Sequence, residues 1–390
     1  MKQIYFDHAA TTYIDSAVFL KMLPYLGKYF GNPSAIYSLG RQAKAAIEKA
    51  REDVAKVLNV NSKGIIFTGS GTESDNLAIF GIARAYKNKG KHIIVSKIEH
   101  KAVLEAAKKL EKEEFEITYL NVDSKGLVNL PELKKALKKD TILVSIMYAN
   151  NEIGTIQPIR GISKIIRDFR KGGLFPVFHT DACQAAGALD LKINKLEVDL
   201  MTLNGSKIYG PKGIGCLYVS DDINVEPMIV GGGQENNLRA GTENTALIVG
   251  FSEALKLADK MKEKESGRLK KLRDYFIKNI LKNIPKSRLN GDPTKRLPNN
   301  INISIEGTEG EALILMLDNL GVAASTGSAC TSASLDPSHV ILALGLLPEL
   351  AHGSLRFTMG RKTTKKEIDY VLEVLAPIVY KLRAISSIKI

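Results

Sequence analysis

The sequence predicts an α/β fold, in which a mostly parallel seven-stranded sheet is flanked by helices and accompanied by a smaller α+β domain. Short apolar segments alternate with segments of helical periodicity through the first two thirds of the 390 residues. After about residue 245 this alternation stops, and long helical segments enclose a single apolar one. Strands that alternate with helices favour a parallel sheet, because a parallel pair needs a long crossover connection.

Seven segments have the short apolar pattern of buried strands. They span residues 64–68, 92–96, 116–121, 141–148, 175–180, 200–203 and 216–219. Helical periodicity occupies residues 41–58, 73–87, 101–110, 130–138 and 162–170 around and between them. In a sheet of this kind, ligands bind beyond the carboxyl ends of the strands, so the loops that follow the strands are expected to form the functional site.

The smaller domain is predicted from the rest of the pattern. It contains a long helix at 246–280, an apolar segment at 297–305, a helix near 310–320 and a final helix at 365–384. We predict a large domain of residues 15–255, and a small domain of residues 1–14 and 256–390 that carries a loop at about 325–338. The chain shows no low-complexity linker, so the two domains are expected to pack closely.

Composition narrows the class of protein. Hydrophobic residues make up 44% and charged residues 25% of the chain, which is typical of a globular enzyme. No apolar run reaches the roughly 18 residues of a membrane span, and the N-terminus lacks a signal-peptide core. The three cysteines are widely spaced and form no CxxC pair, which predicts a reducing cytoplasm and no intrinsic zinc site.

The formal net charge of +13 favours anionic partners such as RNA in principle. Its lysines, however, are interleaved with glutamates along the predicted helices, as on a solvated surface. No motif of interleaved basic and aromatic residues, typical of RNA-binding domains, occurs. We therefore predict neither a membrane partner nor a direct nucleic-acid site, while transient contact with a tRNA-modifying partner stays open.

Four loops that follow predicted strands hold the polar residues of a candidate site. The first, residues 68–76, is glycine-rich and opens a helix, so it suits a phosphate but equally suits a tight connection. The second places Asp181 at a strand end with Gln184 three residues on. A carboxylate there serves as a metal ligand, an ion-pair partner or the partner of a pyridinium nitrogen. The third holds Lys207 in a glycine-rich turn, where burial lowers the pKa of an amine and suits it to Schiff-base formation.

The fourth loop places His100 at the start of a helix, where a histidine alone is more often a cap or a packed ring than a catalyst. Taken together, a phosphate cradle, an acid, a stacking imidazole and a Schiff-base lysine are what pyridoxal phosphate requires. A nicotinamide or ATP site would instead need a GxGxxG or a GKT/GKS motif, and neither occurs.

Cys330 lies in a run of small residues, 325–333, that cannot build a core. The run is compatible with a surface loop that carries an incidental cysteine. It is equally compatible with a nucleophilic thiol on an exposed loop, since such loops often carry function on a rigid scaffold. The presence of Lys207, a candidate for Schiff-base formation, favours the interpretation of Cys330 as a nucleophile.

Two motifs, residues 179–184 (HTDACQ) and 206–213 (SKIYGPKG), resemble the signature of the class-V aminotransferase-like enzymes of fold-type I. Residues 325–333 (STGSACTSA) narrow the resemblance to the cysteine desulfurases of the NifS/IscS group. Residues 5–12, 150–154, 239–242 and 353–357 extend it over nearly the whole chain. The resemblance implies a fold-type I transferase that depends on pyridoxal 5'-phosphate.

The same resemblance implies roles for the matching residues around the cofactor. Lys207 holds it as a Schiff base, Asp181 keeps its pyridine nitrogen protonated, and Gln184 bonds its phenolic oxygen. Asn151 lines the same edge and the substrate position, while His100 stacks on the ring and shuttles a proton. The phosphate ligands are Gly71, Thr72, Asn204, Ser206 and, from the neighbouring subunit, Thr242. A homodimer follows.

The implied reaction removes sulfur from L-cysteine. Arg356 pairs with the substrate carboxylate through its planar fork. The Cys330 thiolate attacks the substrate sulfur, which leaves a persulfide on the enzyme and releases L-alanine. The sulfur then passes to an acceptor such as an iron–sulfur scaffold protein or a tRNA-thiolation enzyme. No resident metal is implied, and Cys330 is the candidate for transient ligation of an iron–sulfur cluster. Selenocysteine lysis, transamination and a scaffold role without turnover are the alternative functions.

Three positions depart from the family pattern. Ser206 replaces a histidine just before the lysine, Asn204 replaces a serine, and Tyr37 replaces a histidine. Asn204 and Ser206 both carry side chains that hydrogen-bond phosphate, so we expect a modified rather than a lost phosphate site.

Overall fold

The computed structural model describes residues 3–326 and 337–385. The strands, numbered along the chain, are β1 (Ile4–Tyr5), β2 (Ile65–Thr68), β3 (His92–Ser96), β4 (Glu116–Leu120), β5 (Thr141–Ser145), β6 (Val177–Asp181), β7 (Leu200–Asn204), β8 (Gly215–Val219), β9 (Ser287–Leu289), β10 (Asn300–Ile305), β11 (Val322–Ala323) and β12 (Ser354–Thr358). The α-helices are α1 (Ser16–Leu26), α2 (Ser38–Leu58), α3 (Gly71–Tyr86), α4 (Lys101–Glu111), α5 (Leu130–Ala136), α6 (Ile159–Arg170), α7 (Ile193–Leu196), α8 (Thr245–Asn283), α9 (Gly310–Asp318), α10 (His339–Ala343), α11 (Pro348–His352) and α12 (Lys365–Ile385).

The central sheet has the strand order β2-β8-β7-β6-β5-β3-β4. The pairs from β7 to β4 are parallel, whereas β8 runs antiparallel to both β2 and β7. The predicted mostly parallel seven-stranded sheet is therefore confirmed. In the pairing of β6 with β7, Asp181 lies opposite Thr202, so the carboxyl ends of these two strands meet at one edge of the sheet.

Helices cover both faces of this sheet. Successive strand residues point to opposite faces. Ile94 and Phe178 accordingly pack in a core with residues of α1, α2, α6 and α8. Their neighbours Ile93 and Val177 pack in a second core with residues of α3 and α4. Apart from the edge strand β4, the strands are buried on both faces, which explains their nearly continuous apolar sequences.

A third core lies under a smaller sheet. Strands β12, β10 and β9 form an antiparallel sheet in that order, and β1 pairs in parallel with β11. The aromatic rings of Phe6, Phe276 and Phe357 meet in this core, with centroid separations between 5.0 and 5.9 Å. The predicted smaller α+β part is thereby confirmed, although β10 begins at Asn300 rather than at residue 297.

The helix α8 connects the cores. Ile248, Phe251 and Leu255 near its start belong to the large core, whereas Phe276 and Ile280 near its end belong to the small one. The cores thus change along one uninterrupted helix. We propose that the division between the two domains lies within α8, close to the predicted boundary of 255 and 256.

The buried carboxylate of Glu235 is the basis of a stability prediction. It accepts two hydrogen bonds from Arg51, each 2.8 Å long, and a third of 2.7 Å from the backbone N–H of Phe67. The Glu235→Gln variant leaves the buried guanidinium with only the half-exposed Glu48, 3.6 Å from its Nε atom, as a counter-charge. We therefore expect the free energy of unfolding to fall by about 3 kcal/mol. Denaturant unfolding followed by circular dichroism measures the change.

An exposed ion pair provides the control for this variant. Glu105 pairs with Lys108 at 2.8 Å on the surface of α4. Because exposed pairs contribute little, Glu105→Gln should leave the free energy of unfolding almost unchanged. Equal unfolding midpoints for Glu235→Gln, Glu105→Gln and the unmodified protein would contradict the prediction.

Candidate active site

A cavity of about 860 Å³ opens at the carboxyl ends of β6 and β7. It lies where the sequence analysis placed the functional loops. The predicted site residues that line it are Gly71, Thr72, His100, Asn151, Asp181, Gln184, Asn204, Lys207 and Arg356. The fold therefore gathers into one cavity residues from the carboxyl ends of β6 and β7, from the segments that follow β2, β3, β5, β6 and β7, and from the strand β12.

The start of α3 forms one wall of the cavity. Ser70 caps this helix by accepting a hydrogen bond of 3.1 Å from the N–H of Glu73. A Cβ atom added at Gly71 would lie 2.9 Å from the Sγ atom of Cys183 and 3.3 Å from the side chain of Asn204. The glycine is required by this close approach. It leaves the N–H groups of the helix start open to the cavity, which suits an anion.

Asp181 ends β6 and presents its carboxylate at the cavity, where one oxygen accepts a hydrogen bond of 2.8 Å from the N–H of Cys183. A second carboxyl group, Asp75 on α3, also lines the cavity. Burial, and then the charge of Asp181, raise the pKa of Asp75 well above its usual range. Burial lowers the pKa of His179 to about 4, so its ring is neutral. Asp181 is thus the carboxylate that is suited to pair with a cationic group in the cavity.

Lys207 ends a short 3-10 turn, Gly205–Lys207, that follows β7. Its Nζ atom donates a hydrogen bond of 2.6 Å to the backbone oxygen of Ala10. Asn204 caps the turn, and its Oδ1 atom accepts hydrogen bonds of 3.1 Å from both the N–H and the hydroxyl of Ser206. Among the cavity-lining residues Asn204 is present and Ser206 is not. The role of Ser206 at a phosphate stays a prediction.

His100 is the N-cap of α4. Its Nδ1 atom accepts a hydrogen bond of 3.1 Å from the N–H of Ala102. In the neutral ring the proton therefore lies on Nε2, which can donate it. Gln184 lies on the same cavity and donates from Nε2 to the backbone oxygen of Ala9 at 3.0 Å. The second N–H of this amide can still bond a ligand.

Arg356 of β12 is buried at the far end of the cavity. Its Nη1 atom donates to the backbone oxygen of Asn151 at 3.0 Å, and its Nη2 atom donates to Asp7 at 2.8 Å. Within the described part of the chain, its Nε atom is buried without a hydrogen-bond acceptor. The guanidinium therefore retains donor capacity for an anionic ligand.

Two buried glutamates were not singled out from the sequence as site residues: Glu152 lines the cavity, and Glu99 lies behind its lining residues Met147 and His339. Burial raises the pKa of Glu99 to about 8 and the pKa of Glu152 to about 7. Glu99 accepts a hydrogen bond of 3.0 Å from the N–H of Met147, and Glu152 accepts one from the hydroxyl of Ser338. Glu99 lies three residues after β3 and Glu152 seven residues after β5, so no strand end marks them in the sequence. Within residues 3–326 and 337–385, no group of three or more histidine, cysteine or acidic residues could hold a metal.

Besides Ser206, one other predicted site residue among those described, Thr242, does not line the cavity. Thr242 is exposed, and its place at a neighbouring subunit's phosphate stays a prediction. Cys330 lies outside the described residues. The chain on either side of that segment reaches the cavity, since the backbones of Ser325 and Arg356 exchange hydrogen bonds of 2.6 and 3.1 Å, and Ser338 lines its wall.

Comparison with known proteins agrees with this arrangement. The family model for "Aminotransferase class-V" matches residues 4–371. The chain is 52% identical over 388 residues to "Cysteine desulfurase IscS" of Dictyoglomus turgidum, which covers 100% of this chain and 97% of that protein. It is 50% identical over 387 residues to "Cysteine desulfurase IscS" of Methanosarcina thermophila, with 99% and 94% covered.

Solved structures show the same similarity. A "NifS-like protein" superposes with a TM-score of 0.91 at 35% identity, and covers 97% of this chain and 100% of its own. A structure described as "SspA in complex with cysteine" superposes with a TM-score of 0.79 at 34% identity, with 91% and 98% covered. The fold predicted from the sequence is confirmed, and the chain belongs to the class-V aminotransferase family.

Proposed function

We propose that the chain is a pyridoxal-phosphate-dependent cysteine desulfurase, which moves the sulfur of L-cysteine to an enzyme thiol and releases L-alanine. The observation that carries this proposal is a cavity that joins Lys207 and Asp181 to Arg356. An amine, an acid and a carboxylate-binding guanidinium are what an enzyme needs to act on an amino acid through pyridoxal phosphate. The curated relatives named cysteine desulfurase confirm the function predicted from the sequence.

The cavity residues fit the cofactor that class-V aminotransferases generally use. The open start of α3 at Gly71, with Thr72 and Asn204 beside it, would hold the phosphate. Asp181 would pair with the ring nitrogen, Gln184 would bond the phenolic oxygen, and His100 would stack on the ring. Lys207 would bind the cofactor covalently. When bound, pyridoxal phosphate supplies an electron sink that weakens the bonds around the α-carbon of an amino acid.

The chain's own groups then bind the substrate and move protons. Arg356 binds the carboxylate through its free Nε–H and its neighbouring Nη–H groups, with Asn151 at the same position. The Nζ atom of Lys207 and the Nε2 atom of His100 are the groups placed to hold a proton near the substrate. The Cys330 thiolate forms a bond to the substrate sulfur as the carbon–sulfur bond breaks. The carbon takes a proton and leaves as L-alanine.

Product analysis tests the proposal. The purified protein, loaded with pyridoxal phosphate and given L-cysteine and a reducing thiol, should release L-alanine and sulfide in equal amounts. A keto acid in place of alanine would indicate transamination instead. Release of alanine from selenocysteine but not from cysteine would indicate selenocysteine lysis. A protein that cannot be loaded with the cofactor would support a scaffold role, against which the presence of Lys207, Asp181 and Arg356 argues.

We further infer that two copies of the chain associate, and that each contributes to the other's site. Large apolar side chains are exposed on α1 and before the 231–244 loop, among them Leu20 at 65% and Val230 at 80%. Exposed apolar patches of this kind indicate a protein contact. Thr242 is exposed on the same loop. Light scattering of the purified protein should give twice the mass of one chain, and a monomer that keeps full activity would contradict the inference.

The compartment is inferred from the thiols. Cys183 and Cys216 are free and buried in the described part of the chain, which supports a reducing cytoplasm. No helix among residues 3–326 and 337–385 has both the length and the apolar character to span a bilayer.

We infer that the acceptor is an iron–sulfur scaffold or a tRNA-thiolation enzyme. Trapping a mixed disulfide at Cys330 and identifying its partner by mass spectrometry tests this.

A further inference from the structure

Arg356 pairs with Asp7 and shares the cavity with Glu152, and a bound substrate would add a third carboxyl group. Arg356 already donates to the carboxylate of Asp7 at 2.8 Å. Its second contact, to the backbone oxygen of Asn151 at 3.0 Å, is uncharged. Glu152 is the next residue along the chain, and its buried side chain lines the same cavity. The substrate carboxylate, which the proposed function places at Arg356, is the third. Arg356 is buried and already paired, whereas the lysines that line the cavity are half-buried or exposed. Two further buried carboxylates beside Arg356 would therefore be poorly balanced.

The surroundings of Glu152 favour its uncharged form. Its Oε2 atom accepts a hydrogen bond from the hydroxyl of Ser338. Burial raises the pKa of this carboxyl to about 7, although Arg356, His100 and Lys101 lower it by their charges. An added carboxylate in the same cavity raises the pKa further, because a like charge disfavours ionisation.

The backbone fixes Glu152 in this position. Its N–H donates to the side chain of Asn150 at 2.8 Å, and its backbone oxygen accepts from the side-chain amides of Asn300 at 3.0 Å and Asn302 at 3.2 Å. On the α10 side, burial lowers the pKa of His339, which keeps that ring neutral. No cation from α10 therefore offsets a charge on Glu152, and the backbone from which its side chain extends is held in place.

We propose that Glu152 is a substrate-binding residue that must be a neutral carboxylic acid when an amino acid carboxylate binds at Arg356. Binding above neutral pH then takes one proton from solvent onto a carboxyl oxygen of Glu152, and no bond of the ligand breaks. The inference rests on the proposed function, because that function places the carboxylate at Arg356. Ligand affinity and the pKa of Glu152 are thermodynamically linked. If the bound ligand raises this pKa by one unit, the ligand binds about tenfold more tightly at a pH below both the free and the bound pKa than at a pH above both.

The pH dependence of ligand affinity tests the inference. L-alanine, the product of the proposed reaction, has no thiol and can be titrated into the cofactor-loaded protein while the cofactor's visible absorption is followed. Between about pH 6 and about pH 8.5, the Kd of the unmodified protein relative to that of Glu152→Gln should rise about tenfold. Ionisation of alanine's own amine affects both Kd values equally, because the ligand is the same, and it cancels in their ratio. The glutamine at position 152 is neutral at every pH, so the ratio reports the ionisation of Glu152.

Two further variants complete the experiment. Glu105 is an exposed carboxyl at the rim of the same cavity, so Glu105→Gln should keep the pH profile of the unmodified protein. Ser338→Ala removes a hydrogen bond that favours the ionised form of Glu152, so the rise in Kd should move to higher pH. If Glu152→Gln fails to fold or to bind the cofactor, the pH profile of Ser338→Ala tests the inference.

The outcomes separate the inference from the proposed function. Parallel pH profiles for Glu152→Gln and the unmodified protein would overturn the inference and leave the desulfurase proposal untouched. An unshifted profile in Ser338→Ala would overturn it equally. A folded, cofactor-loaded protein that binds neither alanine nor cysteine at any pH would contradict the proposed function instead.

Discussion

Lys207→Ala is expected to abolish covalent attachment of the cofactor and to lower the turnover of L-cysteine by at least about a thousandfold. Lys207 lies on the cavity with Asp181, at the end of the neighbouring strand. Its amine is the group that binds the cofactor in the proposed reaction, and alanine has no substitute for it. Borohydride reduction followed by peptide mass spectrometry identifies the lysine that carries the cofactor, and the cofactor's visible absorption reports its loss.

The matched control for this variant is Lys108→Ala. Lys108 also lines the cavity, but its side chain is exposed and its amine pairs with Glu105 at 2.8 Å. Attachment of the cofactor should therefore survive, and turnover should stay close to that of the unmodified protein. Recovery of the reduced cofactor on Lys97, Lys101 or Lys108 would refute the assignment of Lys207.

Cys330→Ala is expected to stop sulfide and alanine release while the cofactor's absorption stays unchanged. Without the thiol, the substrate sulfur has no acceptor, so turnover should fall at least about a thousandfold. Ser325, five residues earlier, is anchored next to Arg356 by backbone hydrogen bonds. Since a chain extends by at most about 3.6 Å per residue, the α-carbon of residue 330 is within about 18 Å of that of Ser325. Chain length therefore permits Cys330 to reach the cavity.

Cys183→Ala is the control that distinguishes the two thiols. Cys183 lines the cavity, but burial, followed by the charges of Asp181 and Asp75, raises the pKa of its thiol well above the ordinary value. Because the thiolate is the nucleophile, a thiol in this state reacts slowly. Turnover of Cys183→Ala should therefore remain within about threefold of the unmodified protein. Detection of the persulfide on Cys183 or Cys216 after a single turnover would identify a different nucleophile.

The sequence predicted the central sheet well because its strands are buried on both faces. A strand such as β5 shows a continuous apolar run, and its helical neighbours show a clear period. The two- and three-residue strands β1, β9 and β11 carry too few residues for a pattern, and their existence depends on distant partners. Helix α1 was not predicted, because its sequence contains Pro24 and its apolar residues are partly exposed rather than confined to one buried face.

Site residues could be predicted from the sequence where the residue type and its position at or after the end of a strand indicate a chemical role. Asp181 and Lys207 follow strands that the fold places side by side, so they meet in the cavity. The partners of these residues were not predictable in the same way. That Arg356 is shared between Asp7 and Asn151 follows from distances between segments far apart in sequence. That Ser206 bonds Asn204 follows from the 3-10 turn that Asn204 caps. The raised pKa of Glu152 likewise reflects burial, which a single sequence does not report.

The helix α8 has a consequence for the relative position of the two parts of the chain that supply Lys207 and Arg356. Near its start it packs against the turn that carries Lys207, where Phe251 lies 3.3 Å from the position of a Cβ atom at Gly205. Near its end, Arg273 holds the backbone oxygens of residues 296 and 297 at 3.0 and 2.9 Å, just before β10, which pairs with the strand of Arg356. At 1.5 Å per residue its 39 residues span about 58 Å. One continuous helix thus supports both the turn that carries Lys207 and the segment that leads into β10, although none of its residues is among those that line the cavity. A substitution in α8 can therefore change the spacing of Lys207 and Arg356 without touching a ligand.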